Sequence, residues 1–178
     1  CKSWRDTGLN INVSVNLSVW NLQDKNLVPL IARCLEKLQL PTECLYLEIT
    51  ESAMMADPER AEETLRQLDN MGISLPVAEF GTWFSSLGYL KRLPVDELKI
   101  DKSFVLNMTE NDNDAIIVRS TIDLAHNLGL KVVAEGIESN DVMEILYILG
   151  CDTAQGYHIS RPIPPEEFID WAREYQLQ

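Results

Sequence analysis

Segments of strand period and segments of helical period alternate six times along this chain, and that alternation restricts its fold more than any other feature. Residues 10–18 put Ile11, Val13, Val15 and Leu17 on one face and Asn12, Ser14, Asn16 and Ser18 on the other, the two-residue repeat of a strand. Leu27–Leu38 then carries Leu27, Ile31, Cys34, Leu35 and Leu38 at helical spacing; Pro29 falls in the first turn, where its missing N–H is not needed. The same reading predicts strands at 45–49, 73–79, 97–101, 131–135 and 153–156. Between them it predicts helices from the Asp57-Pro58-Glu59 start to Met71, through Leu87 and Leu90, over 112–128 and over 140–149. A last helix is expected from Pro164-Pro165-Glu166-Glu167, burying Phe168, Ile169, Trp171 and Ala172.

A strand followed by a helix, repeated, gives a parallel sheet with crossover connections. An open doubly wound sheet and a closed (β/α)8 barrel both satisfy that pattern, and two features favour the barrel. Polar residues recur at alternate positions near the strand ends (Asn16, Glu48, Lys99, Asp101), and no glycine-rich phosphate loop follows the first strand. A complete barrel takes about 250 residues. The 178 residues and six units here are therefore expected to form a TIM-type (β/α)8 barrel lacking its first two units. Cys1-Lys-Ser-Trp-Arg reads as the tail of a preceding helix, and residues 1–178 as a single domain.

The formal net charge of −13 argues against a long nucleic-acid partner, which needs a basic face. A small phosphorylated ligand is compatible with it where cations neutralise both sides. No apolar run is long enough to cross a bilayer and nothing resembles a signal peptide, so direct membrane insertion is not expected. Cys1, Cys34, Cys44 and Cys151 lack zinc-type spacing and read as small core residues in a reducing compartment, which points to the cytoplasm. His126 and His158 are too scattered for a histidine metal site; His126 falls in a helical pattern and reads as structural.

Taken only at the C-terminal ends of the predicted strands, the chain offers Asn16, Glu48 with Glu51, Glu79, Lys99 with Asp101, Glu135 with Glu138, and Gln155. Any one of these acids also reads as a cap or a solvated surface group. Together they would share one rim of a barrel, where barrel enzymes place their chemistry. Lys99 and Asp101 stand two apart and are expected on one face of their strand. So many carboxylates repel one another unless cations sit among them, and oxygen donors without thiolate or imidazole suit Mg²⁺ or Mn²⁺. A lysine beside such ions can orient a metal-bound water or offset phosphate charge.

At these residues the chain resembles the EAL-domain family. The resemblance is carried by Asn16-Leu-Ser18, Glu48-Ile-Thr-Glu51-Ser, Phe80-Gly-Thr with Ser85-Ser86-Leu87, and Leu93-Pro-Val-Asp-Glu-Leu-Lys-Ile-Asp101. Ala134-Glu-Gly-Ile-Glu138, Gln155-Gly-Tyr and Ser160-Arg-Pro162 continue it. It implies a (β/α)8 barrel of bacterial signal transduction that hydrolyses cyclic di-GMP to linear pGpG with a pair of divalent metals, or binds it without cleavage. By position it implies metal ligation by Asn16, Glu48, Glu79 and Asp101, and water handling by Lys99 and Glu135. It implies loop support by Glu51 and Glu138, and ligand contacts by Gln155, Ser18, Arg161 and Pro162. The partners it implies are cyclic di-GMP, a second copy of the chain and an upstream sensor or GGDEF-type cyclase domain, in a cytoplasmic part of a larger protein.

Two departures bear on activity. The Glu-Ala-Leu segment is absent from these residues, its strand being expected before Cys1, and a metal ligand and a phosphate-holding arginine go with it. The family's paired aspartates before Phe-Gly-Thr are Ala78-Glu79 here, so a metal-binding carboxylate is lost at Ala78, and Glu79 is longer by a methylene. Trp83 stands where the family has glycine; it and Phe84 are expected to pack that loop or to meet a partner. The expected function is a degenerate cyclic di-GMP receptor or regulatory module. The alternatives are an active metal-dependent phosphodiesterase and a protein-interaction module with no ligand.

Overall fold

A computed structural model describes residues 1–80 and 87–175 of the chain. Six parallel strands form one sheet: β1 (Val13–Leu17), β2 (Leu45–Thr50), β3 (Pro76–Phe80), β4 (Glu97–Ile100), β5 (Lys131–Glu135) and β6 (Thr153–Gln155). Their order in the sheet is their order in the chain. A doubly wound sheet reverses direction at a switch point, whereas strands added one after another build a barrel wall. The fold is six strand–helix units of the TIM type.

Helices α1 (Lys2–Arg5), α2 (Val19–Gln23), α3 (Leu27–Leu38), α4 (Glu51–Met55), α5 (Pro58–Asp69) and α6 (Leu87–Leu90) accompany the first half of the sheet. α7 (Lys102–Asn107), α8 (Asp112–Asn127), α9 (Asn140–Ile148) and α10 (Phe168–Tyr175) accompany the rest. Local chemistry sets their starts. Asp57 accepts a hydrogen bond from the Arg60 N–H ahead of Pro58, and Asn111 and Ser139 cap α8 and α9 the same way.

Strand alternation divides the sheet into two environments. Leu47, Ile49, Val77, Leu98, Ile100, Val132 and Ala134 join Leu65, Leu68, Val105, Ile122 and Leu146 of the helices in one buried core. Residues that alternate with them, among them Glu48, Lys99 and Glu135, turn to the other face. That concave side is where the polar strand ends collect.

The structure corrects several expectations. β1 begins at Val13, where pairing with Leu45 of β2 begins, rather than at residue 10. The last helix starts at Phe168, beyond both prolines, and of its four expected core residues only Ala172 is buried. Phe168, Ile169 and Trp171 are half-buried. Phe168 meets Trp4 at 4.7 Å and Trp171 at 5.7 Å, and Trp171 stacks on Tyr175 at 5.1 Å, so these rings cover one another. Cys34 is exposed, one step round α3 from the buried Leu35; Cys44 is buried. The short helices α2, α4 and α7 fill stretches that read as connections. The expectations for Trp83 and Phe84 lie outside the described residues.

Candidate active site

Lys99 is at the centre of the concave face, 3% exposed. Its Nζ lies 2.8 Å from Glu48 Oε2 and 2.7 Å from Glu135 Oε1, so one ammonium ties β2, β4 and β5 together. Burial would lower the lysine pKa, but the hydrogen bonds to Glu135 and Glu48 outweigh it and raise the value. Lys99 is therefore a fixed positive charge at neutral pH. Glu48 also accepts a hydrogen bond from Ser14 Oγ at 2.5 Å through its other oxygen, Oε1. Register places Asn16 directly beside Glu48, and Glu135 beside Gln155.

The third strand departs from this regularity. Thr50 pairs with Ala78, Val77 with Leu98 and Phe80 with Ile100, so Ala78 and Glu79 together oppose Lys99 in a bulge. Val77 and Phe80 belong to the helix-side core and Ala78 does not, although it is only 6% exposed. Ala78 thus presents a methyl group to the concave side, level with the lysine. Glu79 is exposed and has a φ of 59°, a left-handed conformation that a non-glycine residue adopts at a cost of about 1 kcal/mol.

The remaining candidates divide between the rim and its supports. Asp101 lies one residue past β4, where its Oδ1 accepts from Ser103 N at 2.9 Å and Ser103 Oγ at 2.5 Å, capping α7. Glu51 opens α4 and is 6% exposed; its Oε2 is buried, with no hydrogen-bond partner among the described residues, beside a small cavity lined by Met54, Val77, Phe80 and Tyr89. Glu138 is exposed beyond β5. Ser18 caps α2 in a reciprocal pair with Asn21. Arg161 lies 4.5 Å above the Tyr157 ring, and with Gln155, Pro162, Phe168 and Trp171 these two line a groove of about 330 Å³.

Sequence reasoning did not single out Ser14, Ser103, Tyr157 or Glu97. The strand alternation that selected Asn16 also puts Ser14 on its face. Glu97 stands two residues below Lys99 on β4, and burial raises its pKa despite Lys99 and Lys131.

Among the described residues the donors as placed do not fit a divalent-metal centre. Among the described residues no three His, Cys, Asp or Glu side chains gather to hold an ion. Both Glu48 oxygens are engaged, Asp101 gives one oxygen to a cap, and Ala78 has none to give. The chemistry of Asn16, Glu48 and Asp101 suits a hard cation, but Glu48 is turned to Lys99 and Asp101 to Ser103.

A barrel wall with charged groups at the C-terminal strand ends belongs to the class of (β/α)8 proteins that work at that rim. The EAL domain family model matches residues 1–162, and the chain belongs to the EAL-domain family. The signaling protein YkoW of Bacillus subtilis is 41% identical over 175 residues, 98% of this chain and 22% of that protein. MucR of Pseudomonas aeruginosa, a bifunctional diguanylate cyclase/cyclic di-GMP phosphodiesterase, is 40% identical over 167 residues, 93% of this chain and 24% of its own length. The chain thus spans about a quarter or less of these relatives.

Solved structures agree. The MucR phosphodiesterase in complex with c-di-GMP superposes with a TM-score of 0.90 at 40% identity, covering 94% of this chain and 68% of that one. The EAL domain of Mycobacterium smegmatis DcpA gives 0.92 at 39% identity, covering 97% and 78%. The chain is a domain of the family that includes cyclic di-GMP phosphodiesterases. Among the described residues no helix is long and apolar enough to cross a membrane.

Proposed function

We propose that this chain is a cyclic di-GMP-binding regulatory domain that has lost hydrolysis. One observation carries the reading: the concave residue of β3 level with Lys99 is Ala78, a methyl group where the family places a metal-binding carboxylate. Cyclic di-GMP presents phosphates and flat guanine bases. Arg161 over Tyr157 offers a guanidinium and a stacking surface, and Gln155 and Ser18 offer hydrogen bonds to such a ligand. Binding needs those contacts; hydrolysis also needs ions to activate water and carry the developing charge, and Mg²⁺ or Mn²⁺ supplies that chemistry when bound.

A second reading, an active phosphodiesterase, is favoured by the retention of Asn16, Glu48, Lys99 and Glu135 and by the names of the relatives. In it Lys99 and Glu135 handle the water, and Glu79 and Asp101 turn to the metal. Regulation would pass through a cyclase or sensor domain of the larger protein, or through a second copy of the chain. Calorimetric titration with cyclic di-GMP, followed by chromatography of the nucleotide after incubation with Mn²⁺, tests the proposal. Binding with the dinucleotide recovered intact is expected. Release of pGpG overturns the loss of hydrolysis, and absence of binding heat leaves a protein-contact module.

A further inference from the structure

We propose that the Lys99 ammonium is the resident cation of this site, holding Glu48 and Glu135 in place so that the concave face keeps its shape without a divalent metal. The inference rests on the receptor reading above and explains how a rim that has lost a metal-binding carboxylate keeps its other acids ordered.

Three observations lead to it. First, Nζ contacts carboxylates on strands either side of it, 2.8 Å to Glu48 and 2.7 Å to Glu135, with the lysine 3% exposed. Half-buried acids that close on one another repel unless a cation lies among them, and here the cation is part of the chain. Second, the Glu48 contact spans β3, which lies between β2 and β4 in the sheet. The residue facing it from β3 is Ala78, whose methyl group leaves the path clear; an aspartate there would compete with Glu48 for the same ammonium. Third, both Glu48 oxygens already have partners, Lys99 Nζ on Oε2 and Ser14 Oγ on Oε1 at 2.5 Å. A hard divalent cation wants six or more oxygens, so binding one here would compete with these contacts.

Lys99 is a positioning residue in this role. It fixes the acids, and through the Glu135–Gln155 register it fixes the strand end that begins the Arg161 groove. The loss at position 78 and the lysine clamp therefore belong to one arrangement.

The test compares the protein in EDTA with the protein in millimolar MnCl₂. Unchanged melting temperature and unchanged cyclic di-GMP affinity are expected. Lys99→Met should lower the melting temperature by roughly 10 °C, because it leaves two acids facing each other without a cation. Lys99→Arg should recover much of the loss, which an apolar packing role for the stem would not predict. Should Lys99→Met fail to fold, Glu135→Gln removes one contact of the clamp and gives a smaller drop. A clear Mn²⁺-induced rise in wild-type melting, or a Lys99→Met melting curve like wild type, would overturn the inference. So would an affinity about tenfold weaker in EDTA. If cyclic di-GMP binds in neither buffer, the receptor reading fails, while the melting comparison still decides whether Lys99 replaces the metal.

Discussion

The Lys99 ammonium on β4 reaches Glu48 on β2 at 2.8 Å, passing the strand that carries Ala78. This one relationship joins the family's retained chemistry to its missing part. In the contact order of the site, a small residue on β3 and a lysine bridge across it are complementary.

Restoring the carboxylates should therefore cost stability before it gives metal binding. Ala78 is 6% exposed, so Ala78→Asp together with Glu79→Asp places a new charge beside an ammonium already shared by two acids. A loss of about 1–3 kcal/mol in EDTA is expected. Mn²⁺ should recover part of it, read as a rise in melting temperature that wild type does not show. Equal melting in the two buffers would mean that the site lacks more than this carboxylate.

A cleaner backbone prediction concerns the end of α3. Gln39 has a φ of 50° at the C-cap, where the Leu40 N–H returns to the Leu35 carbonyl at 3.0 Å. Glycine adopts that conformation without strain, and Gln39 is exposed. Gln39→Gly should add about 0.5–1 kcal/mol in urea denaturation. Cyclic di-GMP titration should be unchanged, since the helix end is remote from the proposed ligand groups.

The strands and long helices were legible because their signals are local. The alternation of Leu47, Ile49, Leu98 and Ile100 with polar neighbours fixes a face whatever the partners are. Asp101 was harder. A strand-end acid followed two residues later by Ser103 suits a rim ligand and a helix cap equally, and only coordinates show Oδ1 turned to Ser103. The bulge at Ala78–Glu79 depends on how β3 meets β4, so no residue announces it. Nor could spacing show that Lys99 crosses β3, since the partners are 51 and 36 positions away along the chain. Phe168 and Trp171 read as core because helical spacing is the same whether a face meets a core or the rings of Trp4 and Tyr175.

Acid sensitivity is expected at the opposite end of β5. Asp152 Oδ2 accepts from Val132 N at 2.8 Å and lies 2.9 Å from His126 Nε2. Burial would raise the carboxyl pKa, but the His126 and Val132 hydrogen bonds hold it below the usual 3.8. The folded state thus favours the charged form. Its contribution is complete above about pH 4 and is lost as pH falls through the depressed value. Asp152→Ala should cost about 1 kcal/mol at neutral pH, discounted for exposure, and should flatten the acid limb of stability against pH. An acid limb unchanged by the substitution would assign that limb to other carboxylates.

The last prediction links packing to the ligand groove. A Cβ on Gly156 would lie 2.1 Å from the Ile137 carbonyl oxygen and 2.2 Å from its nitrogen, both backbone atoms that cannot swing aside. Those atoms already join the strand ends: the Ile137 N–H donates to the Gln155 carbonyl at 3.1 Å, and the His158 N–H to the Ile137 carbonyl at 2.9 Å. Gly156→Ala must separate β5 from the turn after β6, at about 3 kcal/mol or more. Separation there moves Gln155 away from Glu135 and carries Tyr157 and Arg161 with it. Cyclic di-GMP affinity, measured by calorimetry where the variant remains folded, should fall together with the urea midpoint. A variant that loses stability but binds as wild type would place the ligand contacts elsewhere on the rim.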